Sequence, residues 1–225
     1  MTLEGIIFDW DGVVVNSSDL HEKSWLALAS ELDLPLPVDH FKKGFGKRNE
    51  LIIQEILGWT DDCSTVRKWG KKKEEIYRAL GNQLGIRTIP GVKPFLQMLS
   101  DAEIPCSIGT STERKNLDLA FEQHGLRSFF RGAICSEDVS KGKPNPEVFV
   151  KAASLMNADP VDCIVFEDSL HGIEAALSAS MRVVGITTTN SRRSLVEGGA
   201  HLVIDTYREI TISTLCDLSI EDFVS

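Results

Sequence analysis

Six short apolar runs set the fold class: Gly5-Ile6-Ile7-Phe8, Cys106-Ser107-Ile108-Gly109, Ala133-Ile134-Cys135, Cys163-Ile164-Val165-Phe166, Val183-Val184-Gly185-Ile186 and Leu202-Val203-Ile204. They are continuous rather than alternating, so each reads as a strand covered on both faces, as in a parallel sheet. Segments of helical spacing follow them, with recognisable starts. Asn145-Pro146-Glu147 places a cap residue, a first-turn proline and an acid before Val148-Phe149-Val150. Ser169 is expected to cap a helix running to Ala179, and Thr112 one running to about His124. The alternation predicts an α/β fold, a doubly wound parallel sheet.

Residues 17–86 break this rhythm. They hold no convincing strand but show helical patterns over about 20–32, 48–57 and 66–80, punctuated by Pro35, Pro37, Gly44, Gly46 and Gly58. A helical insert after the first strand accounts for this, with the sheet resuming near Pro90-Gly91. The expected division is a core of residues 1–16 and 87–225 with an inserted helical domain of residues 17–86, and 225 residues suffice for both.

Charge narrows the partners. There are 24 Lys and Arg against 33 Asp and Glu, a net −9, and no basic block exceeds Lys71-Lys72-Lys73. That argues against nucleic acid or an anionic membrane as the main partner and for a small molecule. No apolar run approaches the roughly 20 residues of a membrane span, and Met1 to Gly5 lack a basic region leading into an apolar segment, so a cytoplasmic location is expected. The five cysteines form no C-x-x-C pair, which suggests neither a zinc site nor a disulfide framework, and Cys106, Cys135 and Cys163 are expected as buried thiols.

In an open α/β sheet, ligands bind outside the carboxyl ends of the strands. Asp9-Trp10-Asp11-Gly12 follows the first run and Thr110-Ser111-Thr112 the second; Lys143 stands ahead of the Asn145 helix, and Glu167-Asp168 follow Val165-Phe166. Carboxylates, hydroxyls and one ammonium therefore converge from four strand ends. Two carboxylates about 4 Å apart repel by about 4 kcal/mol at an effective dielectric of about 20. Such a set calls for a hard cation, and all-oxygen donors without nearby His or Cys point to Mg²⁺ rather than zinc. An Mg²⁺ held by few protein oxygens usually shares its shell with a phosphate, which Thr110, Ser111 and Lys143 could also hold.

Phe8-Asp9-Trp10-Asp11-Gly12-Val13, Thr110, Lys143-Pro144 and Glu167-Asp168-Ser169 resemble, in order, the four motifs of the haloacid dehalogenase superfamily. The Asp-x-Asp-Gly-Val opening, the helical insert and the run from Glu167 to Ile173 are similar to its β-phosphoglucomutase and small-sugar-phosphatase branch. The resemblance implies that Asp9 is a nucleophile that becomes an aspartyl phosphate and that Asp11 is the general acid/base. It implies further that Thr110, Ser111 and Lys143 bind phosphate, and that Asp9, Asp168 and the Asp11 carbonyl hold Mg²⁺, with Glu167 as an additional ligand. The insert looks like a cap, in which His21, Arg48 and Lys73 are expected to face substrate, as is Asn116 beyond the second motif. Trp10 is expected to pack toward the cap or core.

The implied activity is a Mg²⁺-dependent phosphatase acting on a small sugar or polyol phosphate, with a phosphomutase as the alternative. The two share every core residue, and the pattern around Gly46-Lys47 departs from that of the mutases, which favours hydrolysis. Dehalogenases of the superfamily lack the second aspartate, so Asp11 argues against that chemistry. The chain is expected to be a monomer or a weak homodimer.

Overall fold

A computed structural model describes residues 3–44 and 46–220 of the chain. The Met1-Thr2 part of the N-terminal reading lies outside the described residues. Strands β1 (Gly5–Phe8), β4 (Cys106–Gly109), β5 (Ala133–Ile134), β6 (Cys163–Glu167), β7 (Arg182–Ile186) and β8 (Leu202–Ile204) form one sheet in the order β5-β4-β1-β6-β7-β8. Every pairing in it is parallel. The chain runs outward from β1 on one side and then returns to the other, so β1 is the switch point where the order reverses.

The strand period of two explains why the runs are apolar throughout. Ile6, Phe8, Ile108, Ile164, Phe166, Val184, Ile186 and Ile204 join one buried layer with residues of α5 (Val92–Asp101), α6 (Arg114–His124) and α10 (Ile212–Ile220). Ile7, Cys163, Val165, Val183 and Val203 join the opposite layer with residues of α7 (Glu147–Ser154), α8 (Leu170–Ser178) and α9 (Arg192–Glu197). Burying each such side chain contributes about 1.5–3 kcal/mol. Trp10 is buried against Phe121 and Phe130. Cys106, Cys135 and Cys163 are buried, and burial pushes each thiol up to about 12.

Between β2 (Val15–Asn16) and β3 (Arg87–Thr88) lie α1 (Ser18–Leu32), α2 (His40–Gly44), α3 (Asn49–Leu51), which widens into a π-type turn over Ile52–Ile56, and α4 (Cys63–Leu84). Trp25, Leu28, Ile52, Ile53, Leu57 and Val66 give these helices a small core of their own. β2 and β3 pair antiparallel, so both chain crossings into the helical segment pass through one two-stranded link. The main sheet does not resume near Pro90-Gly91. Gly91, at φ 86°, starts helix α5 instead, a backbone angle that glycine adopts without strain. Thr112 does not cap α6 either; that helix begins after Glu113, and the Thr112 hydroxyl accepts from Asn116 at 3.3 Å. Ser169 caps α8 as expected, accepting from the Gly172 N–H.

Candidate active site

Asp9 leaves the end of β1 with its N–H donated to the Phe166 carbonyl, which fixes the first carboxylate between β1 and β6. Lys143 Nζ reaches Asp9 Oδ1 at 2.7 Å and Glu167 Oε1 at 2.6 Å. Burial works against the Lys143 charge, and Asp9 and Glu167 more than offset it, so the ammonium is held above its ordinary range. Burial, with Glu167 beside it, pushes Asp9 up to about 7 despite Lys143. Burial also holds Asp168 well above the usual carboxylate range, and Glu167 and Asp9 add to the effect.

Oxygens of Asp9, Glu167 and Asp168 lie within 4.8 Å of one another, and the Lys143 ammonium bonds two of the three, Asp9 and Glu167. Asp168 Oδ1 is buried with no hydrogen-bond partner among the described residues. An orphaned carboxylate oxygen in an all-oxygen, under-neutralised cluster is the donor set that Mg²⁺ takes. The residues therefore fit that ion. Glu167, a member of that cluster, is also held within the site: its Oε2 accepts from the N–H groups of Asp168 (2.9 Å) and Ser169 (2.8 Å) and from the Ser169 hydroxyl (2.9 Å), while Oε1 takes Lys143.

Two motif glycines have a steric reason. A Cβ on Gly12, whose φ is +80°, would sit 1.9 Å from Asp168 Oδ2. A Cβ on Gly172 would sit 1.7 Å from Glu167 Oε1 and 1.9 Å from its carboxyl carbon. Gly172→Ala must rotate Glu167 away and leave Lys143 short of a partner, so it is expected to lower unfolding free energy by about 2 kcal/mol or more. Urea denaturation measures this, and an unchanged midpoint would refute the packing argument.

The opposite wall comes from the helical segment. Asp11 accepts from Ser17 Oγ at 2.5 Å and faces His21 Nε2 at 3.3 Å. Burial pushes the Asp11 carboxyl up, and His21, Ser17 and Lys73 outweigh it, so Asp11 rests ionised. A cavity of ≈ 220 Å³ lies between, lined by Asp9, Asp11, Thr110, Ser111 and Lys143 on one side and His21, Trp25, Arg48 and Lys73 on the other. The Thr110 hydroxyl accepts from the Thr112 N–H at 3.1 Å, which leaves its own proton to donate.

Arg48 and Lys73 line the cavity as expected while also bonding protein partners, and Asn116 lies off its wall. Arg48 Nη2 donates to the carbonyls of Ser136 and Val139, each at 2.8 Å. Lys73 Nζ is paired with Glu74 Oε1 at 2.8 Å and His21 Nδ1 at 2.7 Å. Asn116 is 1% exposed and absent from the cavity wall; its amide bonds Glu74, Thr112 and Arg78. The sequence reading also missed a supporting layer after β7. The Thr189 hydroxyl donates to Asp168 Oδ2, Asn190 Nδ2 to the Asp168 carbonyl at 2.8 Å, and the Thr188 hydroxyl to the Gly12 carbonyl at 2.6 Å. Thr187-Thr188-Thr189-Asn190 follows an apolar run, so the strand-end rule that found the other groups would have found these.

The family model for haloacid dehalogenase-like hydrolases matches residues 6–186. The chain is 37% identical over 220 residues to the chloroplastic 5-amino-6-(5-phospho-D-ribitylamino)uracil phosphatase of Arabidopsis thaliana, matching 97% of this chain but spanning 58% of that protein's length. It is 29% identical over 203 residues to the phosphorylated carbohydrates phosphatase of Thermotoga maritima, covering 88% of this chain and 92% of that one. Among solved structures, a HAD hydrolase, family IA, variant 3, from Entamoeba histolytica superposes with a TM-score of 0.88 at 30% identity, covering 98% of this chain and 100% of that one.

Proposed function

Because the chain belongs to the haloacid dehalogenase-like hydrolase family, we propose that it hydrolyses a small phosphorylated metabolite, a sugar or polyol phosphate, through an aspartyl phosphate on Asp9. One observation carries the reading: the two aspartates of one short loop face opposite partners. Asp9 is held by Lys143 on the cavity floor, and Asp11 by Ser17 and His21 from the other wall. Paired carboxylates in different environments are how one site separates two roles. We assign the catalytic unit to residues 1–16 and 87–225 and the cap to residues 17–86. The described residues contain no helix long and apolar enough to cross a membrane.

In this reading an Asp9 oxygen attacks phosphorus, the ester P–O bond breaks, and Asp11 gives its proton to the leaving oxygen. A phosphate dianion arriving beside Asp11 raises that carboxyl toward the protonated form the step needs. Asp11 then takes a proton from water as the water attacks phosphorus, which frees phosphate and restores Asp9. The Thr110 and Ser111 hydroxyls and Lys143 hold the phosphoryl oxygens throughout. Asp9, Asp168 and the Asp11 carbonyl would hold Mg²⁺, which when bound neutralises the phosphoryl charge so that one anion can approach another. Glu167 keeps Lys143 in place. The cap wall keeps bulk water out while substrate is present.

Hydrolysis is favoured over a mutase reaction because a mutase must hold a second phosphate at the cap end. Arg48 Nη2 is engaged by two core carbonyls, with Nε unpartnered among the described residues, and Lys73 is held by Glu74 and His21, which leaves little cationic capacity for that phosphate. A panel of sugar and polyol phosphates, including 5-amino-6-(5-phospho-D-ribitylamino)uracil, is expected to release free phosphate in step with substrate loss. Conversion of β-glucose 1-phosphate to glucose 6-phosphate without phosphate release would establish the mutase instead.

A further inference from the structure

The structure assigns Glu74 as a positioning residue for Asp11, acting through Lys73 and His21 and seated by the docking of α4 on Asn116 of the core; this rests on the phosphatase reading above. Glu74 is 4% exposed, and both of its oxygens are in use. Oε1 accepts from Lys73 Nζ and Asn49 Nδ2, each at 2.8 Å, and Oε2 accepts from Asn116 Nδ2 at 2.6 Å. A buried carboxylate is stable only when paired and hydrogen-bonded. Burial would raise Glu74, but Lys73, His21 and Asn49 hold it down at about 2, so it is ionised at every working pH.

The proton positions along the chain of contacts follow from donor chemistry. An ammonium only donates, so His21 Nδ1 accepts from Lys73 and the ring proton sits on Nε2, facing Asp11. Tyr77 stacks on the His21 ring at 4.2 Å and 18°, which fixes its plane. Glu74 thereby sets Lys73, Lys73 sets His21, and His21 with Ser17 sets the Asp11 carboxylate.

Asn116 ties the same carboxylate to the core. Its Oδ1 accepts from Arg78 Nη1 at 2.9 Å, and guanidinium cannot accept, so the amide N–H₂ must face Glu74. Glu74 and Arg78 stand one turn apart on α4 and engage both ends of one core amide. Cap docking and the alignment of Asp11 are therefore one arrangement.

The test uses phenyl phosphate and p-nitrophenyl phosphate, esters of nearly equal size whose leaving groups differ in their need for a proton. kcat/KM covers only the steps up to departure of the leaving group. Glu74→Gln is expected to lower kcat/KM for phenyl phosphate about tenfold more than for p-nitrophenyl phosphate, a fraction of the roughly 10²–10⁴ that general acid–base catalysis supplies. Asn116→Ala leaves the Lys73–Glu74 pair intact and should bias in the same direction, giving the reading if Glu74→Gln does not fold. Equal losses on both esters, or none, would reduce Glu74 to a structural role and overturn the assignment. Failure of the unmutated protein to cleave either ester would instead sink the phosphatase reading.

Discussion

With Asn in place of Asp9, Mg²⁺-dependent release of phosphate from p-nitrophenyl phosphate is expected to fall by about 10⁴-fold or more, the scale seen when a nucleophile is removed. The substitution keeps the shape of the side chain and an oxygen for Lys143, so the fold has no reason to fail. Its effect on stability has a definite sign. The folded Asp9 carboxyl is raised from its ordinary 3.8 to about 7, so its ionised form opposes folding above that range. Asp9→Asn removes this opposition, and the metal-free variant should be at least as stable as the parent above about pH 7. Thermal unfolding checks this, and an inactive but well-folded variant isolates the chemistry. Retained turnover would remove Asp9 from the nucleophile role.

Lys143→Ala should cost both activity and stability. The ammonium is buried between Asp9 and Glu167, 4.6 Å from the Phe149 ring centroid, and it is the ammonium that bridges those two carboxylates. Removing one side of a buried ion pair typically costs about 3–5 kcal/mol. The cost depends on pH, because Asp9 and Asp168 then rise further above their unfolded values. Stability from groups raised in this way is full below the unfolded value and is lost as pH rises through the folded one. The deficit of metal-free Lys143→Ala should therefore be small near pH 4 and grow on passing pH 7 and above, and Mg²⁺ should raise its Tm more than it raises the parent's. A deficit independent of pH would show that Lys143 matters there only as packing.

Much of this was legible locally. Strands buried on both faces announce themselves as continuous apolar runs, and the rule that sites lie beyond strand ends then selects Asp9, Asp11, Thr110, Lys143, Glu167 and Asp168 without reference to distance. The link strands Val15–Asn16 and Arg87–Thr88 were not legible, because a two-residue strand carries no periodicity and is specified only by its partner. Pro90-Gly91 reads as the point where the sheet resumes, but Gly91 with its positive φ starts a helix there. Arg48 and Asn116 were sound as conspicuous residues near the site, but their partners are remote in sequence: Ser136 and Val139 for Arg48, Glu74 and Arg78 for Asn116. Glu74 left one local trace. Its neighbour Lys73 falls on the buried stripe Val66, Gly70, Tyr77, Gly81 of α4, where a lysine needs a counter-charge.

The central claim is that phosphate passes through Asp9, and trapping that state tests it most directly. In Asp11→Ala, p-nitrophenolate can leave without a proton while water loses its base, so the acyl phosphate should build up. After mixing with p-nitrophenyl phosphate and Mg²⁺ and quenching in acid, mass spectrometry is expected to find one phosphoryl group on the peptide that carries Asp9. Release of p-nitrophenolate with the chain unmodified, or with the phosphoryl group on another residue, would contradict the account.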